Sequence, residues 1–205
     1  MAEEMNRNIL DPAVAEMKRL NALNIQAERD KFYAMPWYAR LVPPNFEGAA
    51  LGSIAAAFAL WAEKVGQNRP WDHKPIIVRK FGARWYKQGK SEYYFDIWSN
   101  LHYGYAGMAA GFTEDVLMDG AGLEQVGSDT YRKLTEWDKH PGPNRAEGVT
   151  GLRAWDDASD RISIKIEIDM YVRSPHAAIT GEELMGEVLK IGNEWATAIQ
   201  KHKCE

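Results

Sequence analysis

Cysteine is almost absent. Cys204 is the only one in 205 residues, so no intrachain disulfide can brace the fold, and stability does not depend on an oxidising compartment. A thiol one residue from the end is an incidental group rather than a nucleophile. Long apolar runs are missing too. The longest, Ala49 to Ala62, spans about fourteen residues and holds Gly52 and Ser53, whereas a bilayer crossing takes about twenty. The expectation is a buried core helix and no stable membrane insertion. The opening Met1-Ala2-Glu3-Glu4-Met5 lacks the basic flank and apolar core of a secretory signal, so action outside the cytoplasm needs a carrier.

Positive charge is also scarce. A net charge of -4 argues against a phosphate-driven nucleic-acid binder, whose affinity comes from clustered Lys and Arg. The one basic cluster, Arg79, Lys80, Arg84, Lys87 and Lys90, reads as a solvated face. No short metal-binding spacing such as His-x-x-x-His occurs, so neither a metal nor a cofactor is expected. There is no internal repeat or low-complexity tract.

What remains is a soluble globular composition, 45% hydrophobic and 26% charged, in a chain long enough for one well-buried core. The 8 Trp and 9 Tyr serve either that core or a ligand cleft. Asp11-Pro12 reads as an N-cap and first helical position, opening an amphipathic helix to about Lys31. Residues 1–45 are expected to form a helical arm or linker, and 46–205 the main domain. Glu47–Val65 is apolar around most of its circumference, as a central core helix would be. Residues 76–80 and 92–98 are β-like, with Gly89 in a hairpin turn between them. The pattern is helical again over 101–111. Thr113 caps a further helix to about Gly127, and the Pro- and Gly-bearing stretch 138–153 reads as a loop. Asp156 or Asp157 caps a helix through Tyr171, although the alternation Ile162-Ile164-Ile166-Ile168 is strand-like. Thr180-Gly181-Glu182-Glu183 is a capping box opening a last helix to about His202. The fold class expected is mainly α (α+β), with one short hairpin.

Chemistry-bearing residues crowd into 71–122. Trp71-Asp72-His73-Lys74 sets a carboxylate, an imidazole and an ammonium beside an indole, and Asp96, Asn100, His102 and Tyr103 follow. Asp96 ends an aromatic run, where partial desolvation would raise its pKa and suit it to acid–base work; the alternative is a cap or a structural hydrogen bond. Asp72 and Lys74 would share a face in an extended segment, as an acid–base and anion-stabilising pair or as a surface ion pair. His102 and Tyr103 are candidate proton donors or structural groups. Asp156, Asp157 and Asp160 read as helix N-terminal acids, or as a second carboxylate opposite Asp96. Gly104, Gly107 and Gly111 fall on one helical face, at about 1 kcal/mol each in propensity, which implies a close neighbour.

The runs Trp71-Asp72-His73-Lys74, Asp96-Ile97-Trp98-Ser99-Asn100-Leu101-His102-Tyr103-Gly104-Tyr105-Ala106-Gly107 and Gly111-Phe112 resemble the signature of the polymorphic toxin type 44 domain. Gly120-Ala121-Gly122-Leu123-Glu124-Gln125 and Trp155-Asp156-Asp157-Ala158-Ser159-Asp160 follow its later blocks, so the resemblance covers roughly 70–173. It implies an antibacterial effector exported by a type VI or related system on a carrier or delivery module, with a cognate immunity protein as partner. The expected activity is that of a hydrolase attacking peptidoglycan or its precursor, a cell-wall glycan or peptide, in the periplasm of the target cell. The alternatives are a cytoplasmic ribonuclease, the one reading with a nucleic-acid partner, and a non-enzymatic interaction module. Asp96, Asp72, Lys74 and His102 are the expected catalytic residues, with Trp71, Asn100, Tyr103, Tyr105 and Asp157 as substrate contacts.

Overall fold

The computed structural model describes residues 1–120, 150, 157–175, 178–192 and 197–202. Helices α1 (Ala2–Asn8), α2 (Pro12–Asn21), α3 (Ile25–Ala34) and α4 (Phe46–Val65) lead to α5 (His73–Phe81). A hairpin of β1 (Trp85–Gln88) and β2 (Ser91–Tyr94) follows, then α6 (Asp96–Ala109) and α7, described over 114–120. After α8 (Ala158–Arg173) and α9 (Gly181–Ile191), β3 (Ile199–Lys201) closes a three-stranded antiparallel sheet in the order β1-β2-β3. The fold is mainly α, with a small sheet. The expected helix end near Gly127, the loop over 138–153, Asp156 and Cys204 lie outside the described residues.

Local signals start several helices where expected. The Asp11 carboxylate accepts from the backbone N–H of Ala13, and Pro12 opens α2. Thr180 and Glu183 form the full reciprocal capping box of α9. Other expectations are corrected. The helix expected from Asp11 to Lys31 is two, because Asn24 caps a second start by accepting from Ala27. Residues 76–80 are helical rather than extended. Pro75 falls in the first turn of α5, where its missing N–H costs nothing. The first strand lies later, at Trp85–Gln88, and pairs Trp85 with Tyr94 across a turn at Gly89 and Lys90. Asp96, Ile97 and Trp98 open α6 instead of ending a strand. The last helix stops before Gly192, and Ile199–Lys201 pairs with β2, Tyr93 opposite Ile199.

The centre is the pair α6 and α8. A Cβ on Gly104 would lie 2.5 Å from the carbonyl oxygen of Ile164, so the two backbones touch there. Gly107 likewise leaves room for the Leu117 side chain. Gly111 lies beyond the helix, so the expected three-glycine face reduces to two. Two hydrophobic clusters flank the pair. One gathers Met17, Trp61, Trp71, Phe112, Leu117, Ile164 and Ile168. The other gathers Met5, Tyr93, Ile97, Leu101, Tyr105, Ile166 and Val188. The strand-like isoleucine alternation is explained by this arrangement. Ile164 and Ile168 face one cluster, Ile162 and Ile166 the other, so α8 is a helix buried on two sides.

Residues 1–21 pack into both clusters through Met5 and Met17, which are fully buried. The expected central helix α4 is peripheral instead. It buries Ala50, Ala57 and Trp61 and leaves Leu51, Ile54 and Phe58 at 69%, 45% and 41% exposure. By length and composition alone, α4 is long and apolar enough to cross a membrane. An apolar circumference has no preferred face, so its pattern could not say which side would be covered.

Inside the α6–α8 seam lies Glu167, fully buried, with no hydrogen-bond partner on either oxygen. Burial pushes its carboxyl up to about 8, and the nearby Glu187 charge adds to this while Arg173 opposes it. The unfolded chain ionises from about 4.5, whereas the folded one holds its proton up to about 8. Stability is therefore fully present below about pH 4.5 and falls as pH rises toward 8, by about 1.4 kcal/mol per unit. Glu167→Met flattens that fall in urea titrations run from pH 5 to 9; an unchanged slope would refute the assignment. Gly104→Ala lowers stability by about 1–3 kcal/mol through overpacking, while Gly52→Ala, whose Cβ meets nothing within 4 Å, is neutral or stabilising in thermal melts.

Candidate functional site

Three helix N-termini meet at one place. Lys74 sits in the first turn of α5, Asp96 in that of α6 and Asp160 in that of α8. The Lys74 ammonium lies 3.7 Å from the Asp96 carboxylate, both partly exposed. Asp160 faces them from α8, with the Asn100 amide beside it. Burial pushes the Asp160 carboxyl up to about 6. The Lys74 charge opposes this, the charges of Asp96 and Asp157 add to it, and Asn100 pulls it back. The site thus holds two carboxyl groups of unequal proton affinity, a cation and an amide, at helix ends whose dipoles favour negative charge.

The helical periodicity of α6 explains this selection. Asp96, Asn100 and Tyr103 recur at i, i+4 and i+7 and share a face. Tyr103 is half-buried, its hydroxyl donating weakly to the Leu117 carbonyl at 3.5 Å and its ring edge-on to Trp61. His102 and Tyr105 point elsewhere. His102 is 1% exposed and accepts at Nε2 from the Asn8 amide of α1 at 3.0 Å. Its ring centre is 4.2 Å from that of His73, and Trp71 stands edge-on to it. Burial holds His102 well below the usual histidine range, with the His73 ring beside it adding to the effect; burial also lowers His73. Both rings are packed in the interior between α1, α5 and α6. Trp71 is buried against Trp61, and Tyr105 is fully buried against Tyr171 in the second cluster.

Asp72 is not brought to Lys74 as an extended pair, because α5 begins between them. Its carboxylate instead accepts from the backbone N–H of Asn68 at 2.8 Å and closes the turn before α5. Asp157, at the N-cap of α8, is exposed and makes no capping bond, and its charge reaches Asp160. Asp160 is the acid that α8 brings to this cluster; the sequence offered it, with Asp156 and Asp157, as a helix N-terminal acid or a second carboxylate opposite Asp96. Asn8, in the polar run Asn6-Arg7-Asn8, and Glu167, among alternating isoleucines, carried no distinguishing sequence signal. Among the described residues no group of three His, Cys, Asp or Glu side chains is arranged to hold a metal ion.

Two substitutions separate the charges at this site. Asp96→Asn removes a repelling carboxylate and lowers the Asp160 pKa, whereas Lys74→Met raises it above about 6. Carbon-detected NMR titration of the Asp160 carboxyl reads both; shifts of the opposite sign would contradict the assembled cluster.

Comparison with known proteins adds one finding. The chain gave no match among curated proteins or among solved structures. The family model described as bacterial toxin 44 matches residues 60–173, more than half of the chain. That segment carries α5, the hairpin, α6 and α8, and with them Lys74, Asp96, Asn100 and Asp160. The chain belongs to the bacterial toxin 44 family.

Proposed function

We propose that this bacterial toxin is a hydrolase of the cell wall, cleaving peptidoglycan or its precursor in the periplasm of a competing cell. The supporting observation is the Asp160 carboxyl, pushed up to about 6 beside the Lys74–Asp96 pair. Cleavage of a glycosidic bond needs one carboxylic acid that keeps its proton and one carboxylate that does not. Asp160 donates a proton to the leaving oxygen. Asp96 acts as the base or nucleophile on the other side, Lys74 and the three helix ends stabilise negative charge, and Asn100 orients the acid. A carrier or delivery module brings the toxin out of the producing cell, and a cognate immunity protein protects that cell.

The two other readings have less support. A ribonuclease would use His102, Tyr103 and Lys74, but the His102 ring is shut behind Asn8. An interaction module would offer the glycine-bearing face of α6 to a partner, but Gly104 and Gly107 are already occupied by α8 and Leu117.

Expression in a bacterial host decides the reading. The wild type is toxic when fused to a periplasmic export signal and harmless without one. Asp160→Asn and Asp96→Ala each lower cleavage of peptidoglycan or its precursor by about a hundredfold or more. Since the protonated acid is the active form, the wild-type rate falls as pH rises through about 6. Toxicity confined to the cytoplasm would sink the cell-wall target.

A further inference from the structure

Between α1, α5, α6, β1 and α9 lies a cavity of about 310 Å³, within the range of pockets that hold small molecules, about 300–1,000 Å³. Ile77 and Phe81 of α5, Trp98 of α6, Tyr86 of β1, and Leu184 and Met185 of α9 form most of its wall. The one side-chain hydroxyl among these six, that of Tyr86, is already donated to the Ala83 carbonyl at 2.8 Å. A sugar or peptide entering here would give up several hydrogen bonds to water and find only the Trp98 indole N–H and the Tyr86 oxygen as partners among these side chains, whereas a hydrocarbon chain gives up nothing. The fold leaves the space unfilled: Gly181 lines it, and a Cβ there would meet no atom within 4 Å.

One face of α5 runs from the polar site to the cavity wall. Lys74, Ile77 and Phe81 recur at i, i+3 and i+7 on one face of α5, covering about 10 Å of helix. A ligand whose polar head meets Lys74 therefore finds the apolar side chains of Ile77 and Phe81 for its tail along the same face of α5. We propose that this cavity holds the aliphatic chain of a lipid-linked substrate whose polar head is cleaved at the Asp96–Asp160 cluster. The inference rests on the hydrolase reading and narrows it to the membrane-borne wall precursor rather than the finished polymer. Ile77, Phe81, Trp98, Leu184 and Met185 are then specificity residues, and none of them touches the reacting atoms.

The test separates the cavity from the reaction. A dodecanoate brominated at its tail quenches indole fluorescence on contact, and Trp98 is the indole in the wall. The wild type shows saturable quenching that plain dodecanoate reverses and that Trp98→Phe abolishes. Gly181→Leu and Met185→Trp, which fill the space, weaken binding at least tenfold while circular dichroism and melting temperature stay at wild-type values. Quenching that is absent in the wild type, or equally strong in both filled variants, overturns the proposal. So does a wild-type dimer that Gly181→Leu converts to monomer, since a second copy would then be the occupant. In the activity arm, Gly181→Leu slows cleavage of a polyprenyl-linked disaccharide precursor about tenfold and leaves a lipid-free muropeptide rate unchanged; equal effects on both overturn the proposal. If the wild type cleaves neither substrate, the hydrolase reading falls and takes the substrate assignment with it, while the quenching still reports whether the cavity takes an aliphatic chain.

Discussion

The contact of Gly104 with the Ile164 carbonyl determines where nearly everything else in the molecule stands. Two helix backbones can approach this closely only where one of them has no side chain. The helices run in the same sense, as the matched pairs show: Asn100 beside Asp160, Gly104 beside Ile164, Tyr105 beside Tyr171. One turn before the touching point α8 therefore presents Asp160 to Asn100, and Asp96 stands one turn further back on α6. The spacing of the two carboxyl groups is inherited from a packing contact, not from contacts between the acids themselves. The same closeness traps Glu167 in the seam, where solvent cannot reach it and its proton is retained.

How much was legible in the sequence follows from the range of the interaction behind each feature. Caps act over three residues, so Asp11 and the Thr180–Glu183 box could be read directly. The isoleucine run on α8 could not be read unambiguously, because a helix buried on two opposite faces imitates the period of a strand. α4 is the opposite case: apolar all round, it looks like the middle of a core and lies at the edge. β3 has no strong signal of its own and exists because β2 offers it an edge.

The site shows the same division. Asp96, Asn100 and Lys74 stood out by density in the sequence, and the fold brings them together with Asp160. Trp71, Asp72, His102 and Tyr105 stood in the same short stretches, but a helix turns successive residues away from one another. His102 and Tyr105 therefore face the interior, Trp71 is buried beside Trp61, and Asp72 is used up in a turn. Nearness along the chain marked the neighbourhood, and helical phase decided which of its members reach the cleft.

The side chain of Asn6 donates to the Ile179 carbonyl and accepts from the Ile179 amide, joining positions 173 residues apart. A peptide-like side chain thereby imitates one rung of a sheet between the first helix and the segment before α9. Contacts of such separation slow folding, because a very long loop must close before they contribute anything. On the ribosome, α1 has to wait until Ile179 has emerged before it finds this seat. The helix that covers His102 is thus made well before it can dock, and the order of synthesis itself delays the finished fold.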